Sequence, residues 1–174
     1  MQIQLIGLDE QLDSASQEIL NLLNIKKSDN GIPILVESSE SGIHVQYDGK
    51  SGTIAYQERC QFFRALGLLI EGMKKDEPFQ ITEKPVYNSL GVLIDCSRNA
   101  VLKVETFQKL IKHLALMGYS SVQLYTEDTY EIKEYPYFGY MRGRYSGEQL
   151  KSMDLYANSF GIELIPCIQT LAHL

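Results

Sequence analysis

The sequence predicts an α/β chain: a small α+β N-terminal domain, then the first strands and helices of a (β/α)8 TIM barrel, incomplete within these 174 residues. Three observations predict it. Residues 1 to about 80 read as strand, helix, strands, helix, with one hairpin signal. From residue 89 the order becomes strand, helix, strand, helix, strand at the spacing of parallel β/α units. Each strand of that second half also ends in charged or polar chemistry, as strands do where their C-terminal loops line a ligand crevice. The expected boundaries are 1–80 for the small domain, 81–88 for a connection and 89–174 for the start of the barrel.

In the first part, Ile3 and Leu5 alternate with Gln2 and Gln4, which suggests a short half-exposed strand reaching to about Gly7. Asp9 opens a helix with Leu12, Ala15, Ile19, Leu22 and Leu23 on one stripe. Asn30-Gly31 breaks the chain, and Pro33 to Ser38 reads as a strand. Ile43, Val45 and Tyr47, a turn at Asp48-Gly49, then Thr53, Ile54 and Tyr56 describe a hairpin. Glu58 to Met73 returns to helical spacing, with Phe62, Leu66, Leu69, Ile70 and Met73 facing one way. Asp76-Glu77-Pro78 and Lys84-Pro85 suit a connection between domains.

In the second part, Leu90, Val92, Leu93 and Ile94 form a run too short for a helix and rich enough in branched residues for a strand buried on both faces. It ends at Asp95, with Arg98 three residues on. Phe107, Leu110, Ile111, Leu114 and Met117 mark a helix face that Gly118 closes. Val122 to Tyr125 is the next strand, ending in Glu127 and Asp128. A loop rich in tyrosine follows, and then Ser146 and Gln149 in the spacing of a capping box. The helix it opens carries Leu150, Met153, Ala157 and Phe160, Gly161 stops it, and Ile162 to Ile165 form a third strand before Pro166. An eightfold barrel takes about 250 residues, so the pattern describes only its opening. A doubly wound sheet would be expected to carry a glycine-rich turn after its first strand, and DCSRNAV has none.

Composition narrows the function classes. Hydrophobic residues at 44% and charged residues at 22% describe a globular protein. A net charge of −6 argues against a nucleic-acid partner, which needs a basic face. The absence of a secretion-like start or a long apolar run argues against a membrane partner and for a cytoplasmic protein. Cys60, Cys96 and Cys167 are widely spaced in apolar segments and read as buried free thiols. His44 reads as a solvated strand residue and His113 as a solvated helix residue. That leaves one histidine at a strand end, too few for an ordinary zinc site, so no metal and no cofactor are expected.

If the strands are parallel, Asp95, Arg98, Glu127, Asp128 and His173 fall on one rim. A guanidinium fork, carboxylates that accept from hydroxyls and an imidazole can together hold a neutral polyol. The aromatic loop holds Tyr130, Tyr135, Tyr137, Phe138, Tyr140 and Tyr145, whose flat faces with polar tips suit sugar rings. For the individual tyrosines, packing on one another is the stronger expectation.

The segments GVLIDCSRN, LYTEDTY and GIELIPCIQTLAH, in this order, resemble the first three strands of glycoside hydrolase family 20, the β-N-acetylhexosaminidases, and especially their hexosaminidase D-like branch. The resemblance implies that Arg98 binds hydroxyls of the terminal sugar, with Asp95 orienting the strand end beside it. It implies that Glu127, where an Asp is commoner, and His173 form a relay behind the general acid. Asp128 would contact the sugar or support a group that does. Ala172 stands where the family usually has glycine. The implied reaction removes terminal β-linked N-acetylglucosamine or N-acetylgalactosamine, with the substrate's acetamido oxygen as nucleophile. The Asp-Glu pair that works with it is expected at a later strand end. The pairs present here, Asp9-Glu10 and Asp76-Glu77, lie in a helix start and a linker. The chain is therefore expected to be an N-terminal fragment, inactive alone, with N-acetylhexosaminides as its small-molecule or glycan partners. An unfinished barrel also exposes strand faces and edges, so a homo-oligomer is possible on this reading. The alternative is a non-catalytic carbohydrate-binding or interaction protein.

Overall fold

The computed structural model describes residues 1–171. Two sheets are flanked by helices that share one buried apolar cluster. The first part contains β1 (Gln2–Ile6), α1 (Glu10–Leu22), β2 (Lys26–Lys27), β3 (Ile32–Ser38), β4 (Ile43–Tyr47), β5 (Gly52–Tyr56), α2 (Arg59–Met73) and β6 (Phe79–Glu83). Its six strands run in the order β2-β1-β3-β5-β4-β6. β1, β2, β3 and β5 are mutually parallel, whereas β4 pairs antiparallel with both β5 and β6.

The hairpin signal at Asp48-Gly49 is realised as β4 and β5, where the Asp48 carboxylate accepts from the amides of Lys50 and Ser51. Asp9 caps α1, accepting from the Leu12 amide at 2.7 Å. Three expectations are corrected. Residues 81–83, read as connection, belong to β6, because Ile81 registers with Val45 and packs against the core. Leu22 is exposed, and Leu20 with Ser16 completes the buried stripe of α1. Gly7 leaves the strand, turning at φ +98 where an added Cβ would meet the Val36 carbonyl oxygen at 2.5 Å.

The second part contains β7 (Gly91–Asp95), α3 (Val104–Met117), β8 (Ser121–Tyr125), α4 (Gly147–Ser159) and β9 (Glu163–Cys167). All three strands are parallel, in the order β7-β8-β9. α3 ends at Gly118 in the left-handed region, as its position after the apolar stripe suggests. α4 opens with the expected capping box: Ser146 Oγ accepts from the Gln149 amide at 3.2 Å, and Gln149 Oε1 accepts from the Ser146 amide at 2.9 Å.

One face of this sheet, carrying Val92, Ile94, Val122, Leu124 and Leu164, packs into the core. The other face carries Leu93, Gln123 and Ile165 in register. Leu93 is 52% exposed, which corrects the expectation of a strand buried on both faces. Only one face has a helical layer over it among the described residues. Met117, read as part of the α3 face, is 55% exposed, and Ala115 fills that side instead. β9 begins one residue later than expected and runs through Pro166. Among the described residues β9 pairs with β8 alone, and Pro166 falls at a position that gives no amide to that ladder.

The two parts meet through helices. α2 packs on α3, and Phe63 stacks against Phe160 with ring centroids 5.0 Å apart. Tyr156 donates its hydroxyl to Glu18 at 2.6 Å, and Lys112 approaches the same carboxylate at 3.5 Å, so α1, α3 and α4 share one polar tie. No helix among the described residues is long and apolar enough to cross a membrane.

Candidate active site

The strand pairing fixes where the site lies. Beyond β7 the Cys96 amide donates to the Tyr125 carbonyl at 2.9 Å, and beyond β8 the Thr126 amide donates to the Cys167 carbonyl at 3.3 Å. The three strand ends are thereby held level, and the residues following them share one rim. The last rung sets Asp95, Tyr125 and Cys167 side by side on the face that carries Leu93, Gln123 and Ile165.

Asp95 is the best organised group. Its Oδ1 accepts from the Ser97 hydroxyl at 2.6 Å and the Ser97 amide at 2.9 Å, while Oδ2 pairs with Arg98. The Ser97 hydroxyl, helped by Arg98 and the Ser97 amide, holds this carboxyl down to about 2. Arg98 donates Nη1 of its guanidinium to Asp95, and with its side chain 75% exposed the remaining guanidinium donors face solvent. Asp95 first, and Glu127 and Tyr125 after it, raise the Arg98 pKa, which brings the ends of β7 and β8 into one electrostatic field.

Glu127 sits in the left-handed region at φ +50, a backbone state that costs a side-chain-bearing residue about 1–3 kcal/mol. The neighbouring strand end helps to hold it: the Glu127 amide donates to Gln169 Oε1 at 3.0 Å. Asp128 turns toward the tyrosine loop, where its Oδ1 lies 2.8 Å from Arg142 Nη1. His173 and Ala172 lie outside the described residues.

Four of the expected site residues, Asp95, Arg98, Glu127 and Asp128, are thus gathered at one end of the parallel sheet. The sequence reading missed Ser97, Tyr125, Gln169 and Arg142. Strand alternation from Gln123 would have found Tyr125. Arg142 carried no signal, since the irregular loop 129–141 separates it from its partner.

The tyrosine loop is a closed structure. Its base is pinned by Tyr145 donating its amide to the Thr129 carbonyl and by Glu131 donating to the Tyr145 carbonyl. Arg144 staples the interior through the carbonyls of Pro136 and Phe138. Tyr130 stacks on Phe138 at 5.1 Å and Tyr137 on Tyr140 at 5.8 Å, so tyrosine self-packing holds for these rings. Tyr145 is instead buried, its hydroxyl 3.9 Å from Cys96 Sγ. Burial raises both of their pKa values and keeps the two groups neutral. Cys60 is buried as expected, whereas Cys167 is only half-buried.

A cleft of about 580 Å³ lies elsewhere, lined by the start of α2, the connection before β7 and the α3–β8 turn. Leu90 and Ser120 place it at the opposite ends of β7 and β8 from the carboxylates. No group of His, Cys, Asp and Glu among the described residues could hold a metal ion.

No family model matches the sequence, and no curated protein matches it. Solved structures do. The GH20 exo β-N-acetylglucosaminidase from Vibrio harveyi, in complex with N-acetylglucosamine, superposes with a TM-score of 0.73 at 18% identity, over 94% of this chain and 32% of its own. The GH20 β-N-acetylhexosaminidase from Streptomyces coelicolor A3(2) gives 0.73 at 18%, over 95% of this chain and 41% of its own. The β-N-acetylhexosaminidase from Bacteroides fragilis NCTC 9343 gives 0.71 at 18%, over 95% and 39%. The chain spans about a third to two-fifths of the length of these structures. At that identity the likeness is one of architecture, and the chain has the mixed α/β fold of a corresponding part of the GH20 β-N-acetylhexosaminidases.

Proposed function

We propose that this chain forms the N-terminal domain and the first three strands of the (β/α)8 barrel of a glycoside hydrolase. The enzyme would release terminal β-linked N-acetylglucosamine or N-acetylgalactosamine. The observation that carries the reading is the common rim: parallel strands bring Asp95, Arg98, Glu127 and Asp128 to one end of the sheet, within a fold that such hydrolases share. Arg98, anchored by Asp95 and otherwise open, offers donors to sugar hydroxyls. Asp128 accepts from a hydroxyl. Glu127 lies one residue before it on the same turn and, with His173, serves as the relay behind the acid.

The chemistry follows from the substrate. The acetamido oxygen attacks the anomeric carbon from within the sugar, so the protein need supply only an acid for the leaving oxygen and a group that orients the acetamide. Neither is offered by Asp9, which caps α1, nor by Asp76-Glu77, which follows α2. Residues 1–174 are therefore expected to contribute binding groups without turnover. A chromogenic β-N-acetylglucosaminide offered in parallel to residues 1–174 and to the natural gene product tests this. Hydrolysis by the gene product alone is the expected result. Hydrolysis by residues 1–174 would show that the acid has been misplaced, and none by either would remove the reading.

A further inference from the structure

The Asp128–Arg142 pair is unusual. Both side chains are about three-quarters buried, at 25% and 27% exposed, and their closest approach is 2.8 Å. Yet Asp128 Oδ1 and Arg142 Nε are shut off from solvent and make no hydrogen bond among the described residues. The 2.8 Å approach is thus a charge contact without hydrogen-bond alignment. A buried polar atom left in this way costs about 1–3 kcal/mol, so the pair is not accounted for by stability alone. It also stands where the loop is most constrained. Gly139 runs at φ +63, against the Asp128 carbonyl oxygen, and Gly143 lies against Val101 of the β7–α3 connection.

We propose that Arg142 is a positioning residue. It fixes the rotamer of Asp128, so that the second carboxylate oxygen, unpartnered among the described residues, is presented to a sugar hydroxyl. The loop that carries Arg142 also carries Tyr137 and Tyr140, both largely exposed, on either side of Gly139, whose backbone lies against the Asp128 carbonyl. Arg142 thereby couples the loop to the hydroxyl contact. This inference rests on the hydrolase reading of the rim.

The alternative is a purely structural ion pair, and kinetics separate the two. In the natural gene product, assayed on a chromogenic N-acetylhexosaminide, R142Q is expected to raise KM about tenfold and to leave kcat within about threefold, the signature of lost ground-state binding. R142K should fall between R142Q and wild type, because it keeps the charge and loses the planar fork. D128N should show the same rise in KM, and the D128N/R142Q double variant no further rise. Circular dichroism and the melting temperature of each variant establish that it folds. A folded R142Q with wild-type KM, or additive effects in the double variant, overturns the inference while leaving the hydrolase reading intact. Absence of hydrolysis by the wild-type gene product overturns both.

Discussion

At the scale of single residues, the site is built by short-range contacts around a D-x-x-R spacing. Asp95 is stabilised as an anion chiefly by the Ser97 hydroxyl, and its carboxyl therefore titrates near 2 in place of the ordinary 3.8. A depressed carboxyl adds to folding above its unfolded pKa and loses that contribution as pH falls through its folded one. The Asp95–Ser97–Arg98 cluster should accordingly persist as pH drops past 3.8 and come apart only near 2. Carboxyl-detected ¹³C NMR should give that midpoint, and S97A should move it back toward 3.8. An unchanged midpoint in S97A would mean that Arg98 and the backbone amide of residue 97 hold the charge without the hydroxyl. Asp95, Arg98, Glu127 and Asp128 were legible in the sequence because they cluster at or just after the ends of two strands that the apolar residues mark out. Arg142 and Gln169 were not. Their partners are set by loop paths that no periodicity encodes.

At the scale of elements, most strands and helices followed from hydrophobic spacing and from caps. Asp9, Ser146 with Gln149, and Gly118 each end or begin a helix for a reason visible in the chain itself. Two elements were hidden. β2 is too short to show a period, and β6 lies between Pro78 and Pro85, so its alternation of Phe79, Ile81 and Glu83 was masked by linker-like flanks. The tyrosine loop is the element on which the site depends most. Its tight turn requires glycine at 139, since a Cβ there would stand 2.1 Å from the Asp128 carbonyl oxygen. Gly139→Ala should destabilise the fold by about 1–3 kcal/mol on chemical denaturation. It should also open residues 130–145 to limited proteolysis at a protease level that leaves wild type intact. A variant as resistant as wild type would show that the loop reaches its position by another path.

At the scale of the molecule, the two sheets are joined by one apolar cluster. Phe63 of α2, Phe160 at the end of α4 and the Phe62 and Tyr156 rings beside them form its middle. Phe160→Ala removes a fully buried ring from that junction and should cost about 3–5 kcal/mol. Fluorescence and circular dichroism should still report one coincident transition. Separate transitions for the two halves would mean that they fold independently. The sequence divided the chain near residue 80 by composition, and composition does not reveal what packs across a boundary. Polarity told where the connection runs, while the aromatic junction is formed by residues nearly a hundred positions apart. That junction also limits what a designer can do with the molecule. Lifting the six-stranded sheet onto an unrelated body would strip Phe63 of its partner ring, so any graft must bring a matching aromatic knob or repaint the seam with polar residues.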